Sequence, residues 1–169
     1  AGPSLLAGMS SFASQKALAD LTDMGVEVLL NSAVIDYDGE KVTIKDGKTI
    51  DTASFIWSAG VRGETINGIN PKSLSGNSRI LVDLYNRVDG HDNIYAIGDI
   101  ALMLGDDKYP KGHPMVAQVA IQQAAILAKN FIAETKSKKL TVFKYKNLGS
   151  LATIGRNKAV ADFSFIKLK

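Results

Sequence analysis

Three short segments carry residue types whose order and spacing suit chemistry. The first is Ile94-Tyr95-Ala96-Ile97-Gly98-Asp99. An apolar run delivers a glycine and then a carboxylate at its end. The glycine lets a ligand approach the backbone closely, and the carboxylate can accept hydrogen bonds from a polyol. Taken alone, Gly98-Asp99 reads equally well as a turn with a helix cap. The second segment is Ala117-Gln118-Val119-Ala120-Ile121-Gln122, at the start of an expected helix. Small residues at Ala117 and Ala120 allow something flat to lie against it. Free N–H groups at a helix start suit a developing negative charge. Gln118 and Gln122 share a helix face and can aim two amides at one carbonyl ligand, or simply be solvated. The third is Ile56-Trp57-Ser58-Ala59-Gly60-Val61, an apolar run ending in small residues. Ala59 and Gly60 there permit a close backbone crossing beside a ligand; the plain alternative is a core tryptophan and a turn.

Composition removes several classes of chemistry. The chain has no cysteine, which excludes disulfides, thiolate zinc sites, cysteine-held iron–sulfur clusters and redox dithiols within it. His91 and His113 are well separated, so a metal site has little support. His91, beside Asp92, is expected to be exposed, and His113 to be a loop residue ahead of the helix. Asp36, Asp38, Asp46 and Asp51 have turn spacing, not calcium-loop spacing. The net charge of +3 is spread out. Its densest run, Lys136, Lys138, Lys139, Lys144 and Lys146, reads as a solvated face, and no nucleic-acid partner is expected. Hydrophobic residues make up 46% and charged residues 22%, enough for a core. The start has no basic-then-apolar leader pattern, and no apolar run is long enough to cross a membrane.

The elements that must hold these segments follow from periodicity. Ser10 or Ser11 can cap a helix running to about Met24, with Phe12, Leu18, Leu21 and Met24 on one face and Gly25 as its stop. Val26 to Leu30 reads as a short apolar strand. Val34 to Tyr37, Lys41 to Lys45 and Thr49 to Asp51, separated by Asp38-Gly39 and Asp46-Gly47, form a β-meander. Ser54 to Ser58 and Asn93 to Ile97 read as buried strands. Residues 61 to 78 form a connection, and Ile80 to Asp83 with Arg87-Val88 suggests a small hairpin. A helix is expected from about Met115 to Glu134. Val142 to Tyr145 and Leu151 to Phe165 alternate like strands, with a turn near Gly155 to Asn157. This order indicates an α/β fold with parallel strands. No Gly-x-Gly-x-x-Gly occurs in the chain.

In this order the three segments resemble the two-dinucleotide-binding-domain, Rossmann-like flavoproteins, and within them the type II NADH dehydrogenases, single-subunit NADH:quinone oxidoreductases. The resemblance spans about Gly25 to Ala161, and Ala117-Gln118-x-Ala120-x-Gln122 is its most specific part. It implies that residues 1–60 are the second half of an NAD-binding domain, that 61–135 are the C-terminal part of an FAD-binding domain, and that 136–169 begin a C-terminal region. It further implies FAD and NAD as cofactors, with Ala59, Gly60, Gly98, Asp99, Ala117, Gln118 and Val119 at the flavin. Gln118, Ala120 and Gln122 would line the quinone site, and His113 lies where it could pass a proton to quinone. The implied reaction runs from NADH through flavin to quinone, on the cytoplasmic face of a bacterial inner membrane. Membrane attachment would come through a C-terminal segment beyond this chain.

Where the chain departs from this family is equally informative. The two glycine-rich phosphate loops are not in it, so the expectation is a soluble C-terminal fragment that holds nucleotides weakly and is inactive alone. Its apolar strands would lack neighbours and drive homo-oligomer formation. Other reductases of the same fold, acting on ferredoxin, nitrite or sulfide, are the alternatives, together with a cofactor-free chain that only self-associates.

Overall fold

Ser10 starts the first helix, α1 (Ser11–Asp23). Its hydroxyl accepts from the Ala13 N–H at 3.3 Å, satisfying one of the donors a helix start leaves open. Gly25, at φ +79°, ends it. In the computed structural model, which describes residues 2–64 and 66–163, the chain falls into two compact units. One is drawn from Ala1–Ser58 with Leu148–Lys169, the other from Ala59–Asn147.

In the first unit, β1 (Val34–Tyr37), β2 (Lys41–Ile44) and β3 (Thr49–Asp51) form the expected antiparallel meander. Asp38 makes the first turn: its Oδ1 accepts from the N–H groups of Glu40 and Lys41 at 2.9 and 2.7 Å. Alternation puts Val42 and Ile44 of β2 inside. A hairpin of β6 (Ser150–Ile154) and β7 (Lys158–Asp162) packs on α1. Its turn lies where the sequence predicts it, and the remainder of the alternating run, beyond Phe163, is outside the described residues. The helix face it covers is not the expected one. Ala13, Ala17 and Asp20 are buried, whereas Phe12 and Met24 are exposed. Small alanines let the hairpin's Ile154 and Val160 approach the helix backbone, and a larger side chain would hold it off.

In the second unit, β4 (Ile80–Val82) and β5 (Ala101–Met103) pair in parallel, Ile80 beside Ala101. They pack with α2 (Ala117–Thr135) around Val88, Ala96, Val119, Phe143 and Tyr145. Parallel strands joined through a crossover and covered by a helix make this the α/β arrangement expected. The strand β5 was not expected, because Ala101-Leu102-Met103 is too short a run to announce itself.

Five expected strands are absent as ladders among the described residues. Val26 to Leu30 and Ser54 to Ser58 pair with nothing. Asn93 to Ile97 and Arg87-Val88 make only isolated contacts, Arg87 with Tyr95 and Val88 with Val82. A strand exists through a neighbour's hydrogen bonds, and an apolar run announces burial without supplying that neighbour. Ile56 and Trp57 are consequently exposed. Val142 to Tyr145 is extended but is held by side chains.

Those side chains come from α2. The Gln122 amide donates to the Lys146 carbonyl at 2.9 Å and accepts from its N–H at 3.0 Å. Two turns further along, Asn130 makes the same pair of bonds with Thr141, both at 2.8 Å. Each amide thus imitates one rung of a sheet, and the segment 141–146 runs antiparallel to the helix. The Phe143 N–H donates to the Leu84 carbonyl at 2.8 Å, which drives the Phe143 ring into the core.

Candidate functional site

Gly98 and Asp99 open a single 3-10 turn, Gly98–Ile100, that leads directly into β5. Gly98 sits at φ +72°, and a Cβ there would stand 3.2 Å from the Ala120 Cβ. Only glycine takes this conformation without penalty and lets the turn lie against the helix. The turn is fixed by a residue the sequence reading passed over. Gln123, 1% exposed, accepts from the Gly98 N–H through its Oε1 at 2.7 Å. Its place beside two better-placed glutamines hid it. The available signal was its helical phase, which it shares with the core residues Val119 and Leu127. Asp99 points outward and is exposed.

The start of α2 lies beside this turn. Its cap residue, Val116, makes no side-chain capping bond, and its carbonyl accepts from the Val119 N–H at 3.0 Å; a helix start carries positive potential. Ala117 is exposed and Ala120 half-buried, whereas Val119 is buried in the core. Gln118 is half-buried and its Oε1 accepts from the Tyr145 hydroxyl at 3.3 Å. Gln122 shares that face, but both ends of its amide are taken by Lys146. The two amides therefore do not converge on one point in solvent; both face the 141–146 segment. Ala59 and Gly60 lie in an exposed extended stretch, Gly60 at φ +120°, outside the Gly98–α2 cluster. The structure thus sets Gly98 and Asp99 beside Ala120 near the start of α2, turns Gln118 and Gln122 toward the 141–146 segment, and leaves Ala59 and Gly60 apart.

His113, expected to be a plain loop residue, is buried. Its Nε2 lies 3.0 Å from Asp106 Oδ2, and its ring packs among Tyr109, Phe143 and Tyr145. The hydrogen bond to His113 holds the Asp106 carboxyl below its ordinary value, with the Lys108 N–H adding to the effect. Burial pushes the Tyr145 phenol up, so it stays a donor at neutral pH. Nothing in the sequence pairs His113 with Asp106, because a turn at Tyr109 and Gly112 brings them together. Arg79, immediately before β4, was also missed. It is 6% exposed, and its Nη2 donates to the carbonyls of Ala101 and His113. No cluster of His, Cys, Asp or Glu among the described residues could hold a metal ion.

Chemically, the assembled site offers a close backbone turn, an exposed carboxylate and a helix start. That set suits a flat, hydrogen-bonding group that gains negative charge. It contains no nucleophile beside a base.

Comparison with known proteins gives a consistent answer. The chain is 33% identical to the type II NADH:quinone oxidoreductase Ndh of Mycobacterium tuberculosis over 95% of its length. It is 32% identical to the type II NADH:quinone oxidoreductase of Haemophilus influenzae over 97% of its length. It covers 36% and 37% of those two proteins, so it spans about a third of the curated relatives it matches. In fold it is similar to NDH2 from Plasmodium falciparum, solved in complex with NADH, with a TM-score of 0.85 and 22% identity, covering 98% of this chain and 49% of that one. The family model for pyridine nucleotide-disulphide oxidoreductases matches residues 1–124. On that match the chain belongs to the pyridine nucleotide-disulphide oxidoreductase family.

Proposed function

We propose that this chain supplies part of a flavin-dependent NADH:quinone oxidoreductase. One observation carries the reading. A Gly-Asp turn is locked by Gln123 against α2, with Gly98 packed on Ala120 and the Asp99 carboxylate exposed. The names of the relatives point the same way, and they are what favours quinone over another acceptor.

The residues fit a flavin. The Gly98 position has no room for a side chain beside Ala120, and Asp99 is exposed and able to accept from ribityl hydroxyls. When bound, the flavin supplies the hydride and electron chemistry. The chain's own residues position and tune it. Ala117, Gln118 and Val119 present the helix start, whose N–H groups favour negative charge. On this proposal Gln118, Ala120 and Gln122 belong to the quinone side, Gln118 through the amide that meets Tyr145 and Gln122 through its grip on Lys146. In this reading Ala59 and Gly60 form the crossing toward the flavin, residues 1–60 belong to the NAD-binding domain, 61–135 to the FAD-binding domain, and 136–169 to the C-terminal region. Quinone is met at a membrane surface, on the cytoplasmic face in a bacterium. No helix among the described residues is long and apolar enough to cross a membrane. This chain on its own is expected to be inactive and to self-associate through its unpaired apolar segments.

The test compares two electron acceptors in the flavin-loaded protein that contains these residues. Gln118→Ala is expected to weaken quinone use several-fold, the equivalent of one hydrogen bond of about 0.5–1.5 kcal/mol, while NADH oxidation by a soluble dye stays near wild type. An equal loss of both activities would count against the quinone assignment. Asp99→Ala is expected to yield protein with less than one flavin per chain; full occupancy would remove Asp99 from the flavin site.

A further inference from the structure

Charged side chains are almost never buried without a partner of opposite charge. Arg79 is such a case. It is 6% exposed, and among the described residues no carboxylate lies within ion-pair distance of it. Its Nη2 donates to the Ala101 and His113 carbonyls, and its Nε is buried without a partner among the described residues. Two neutral carbonyls satisfy donors but leave the charge uncompensated. A neutral amide could have tied the same two segments together without the desolvation cost of a buried ion.

The location gives the charge a use. Ala101 is two residues beyond Asp99, and His113 stands three residues ahead of the cap of α2. The guanidinium therefore bonds the residue that closes the Gly98–Ile100 turn and a residue of the loop leading into α2, and its charge has the same sign as the helix start. Burial lowers the guanidinium's affinity for its proton, and the charge of Asp99 raises it again; an arginine stays protonated at neutral pH. Asp99 carries the opposite charge and is present in every Arg79 variant, so a change at Arg79 reads the guanidinium alone. Arg79 is buried and screened much less than a surface charge.

We propose that Arg79 is a positioning and electrostatic residue for the bound flavin, stabilising the negative charge that the flavin gains on two-electron reduction and so raising its potential. This rests on the flavin reading above. It is tested by potentiometric titration of the flavin-loaded protein carrying Arg79→Gln or Arg79→Lys, with flavin stoichiometry measured alongside. Arg79→Gln is expected to hold flavin at the wild-type ratio and to lower the midpoint potential by about 30 mV, a tenfold change for a two-electron couple. Arg79→Lys, which keeps the charge, is expected to stay close to wild type. If the glutamine variant does not fold, Arg79→Met, which also removes the charge, decides: a fall of about 30 mV supports the proposal and an unmoved potential overturns it, as does a fall of about 30 mV in the lysine variant. A glutamine variant with full flavin and an unmoved potential also overturns it, leaving Arg79 as a structural tie. A full-length wild-type protein containing these residues that takes up no flavin would sink the flavin reading itself.

Discussion

The N–H of Gly98 donates to the side-chain oxygen of Gln123 at 2.7 Å, with both residues buried. This bond joins the end of one candidate motif to the middle of the other, and it fixes how the Gly-Asp turn meets α2. Removing the acceptor leaves a buried N–H unsatisfied, which costs about 1–3 kcal/mol. Gln123→Leu is therefore expected to lower unfolding stability by that amount and to loosen flavin retention. Gln123→Glu keeps an acceptor at the same reach and, compared with Leu at about pH 4 or below where its carboxyl is neutral, should lose less. Equal losses in the two variants, read by denaturant melts, would show that packing rather than the hydrogen bond matters there.

Gly98 carries two separable constraints. Its φ of +72° disfavours any side chain, and a Cβ would stand 3.2 Å from the Ala120 Cβ. Gly98→Ala is expected to destabilise by about 1–2 kcal/mol from backbone strain alone, with a further contribution from the contact. Adding Ala120→Gly should recover the contact part and not the strain. A double-mutant cycle measures the split; full recovery would mean that the left-handed conformation costs nothing here.

The segment 141–146 depends on two amide clamps of unequal exposure. Asn130 is 4% exposed, whereas the Gln122–Lys146 bonds lie at an exposed position. Asn130→Ala strands the Thr141 N–H and carbonyl in a part-buried place, so about 1–3 kcal/mol is expected; Gln122→Ala should cost about 0.5–1.5 kcal/mol because water replaces its bonds. Hydrogen exchange at Thr141 and Lys146 reports each clamp separately. Faster exchange along the whole of α2 in either variant would contradict local opening.

Local rules made several of these elements legible. Ser10 capped α1, Asp38-Gly39 and Asp46-Gly47 turned the meander, and the run Leu151 to Phe165 announced the β6–β7 hairpin because its turn sits inside its own sequence. The strand readings at Val26 to Leu30 and Ser54 to Ser58 failed for the opposite reason, since pairing depends on residues distant in sequence. The candidate site was half legible. Gly98, Asp99 and Gln118 stand out by type and spacing. Gln123, His113 and Arg79 do not, because their roles come from burial against Gly98, Asp106 and Ala101, partners that periodicity cannot identify. Asp20 shares the helical phase of the buried Ala13 and Ala17 although it carries a charge.

That charge gives the last prediction. The Asp20 side chain is 2% exposed, and its Oδ1 receives Lys16 Nζ at 2.7 Å and Lys158 Nζ at 3.0 Å. The hydrogen bond from Lys16, then that from Lys158, hold its carboxyl below the ordinary value of 3.8, against the opposing effect of burial. A depressed folded-state value means that the unfolded chain binds the proton more readily. The stabilisation is therefore complete above the ordinary carboxylate range and is lost as pH falls below about 4 through the lower folded value. Lys158, held above its ordinary value by Asp20, behaves in the opposite sense, and its contribution fades only as pH rises past about 10. Asp20→Asn is expected to melt earlier than wild type at pH 7, with the gap between the two narrowing as pH falls from 4 toward 2. Thermal melts of both chains across that range decide it. A gap that stays constant from pH 7 to pH 2 would mean that Asp20 contributes through its shape and not through its charge.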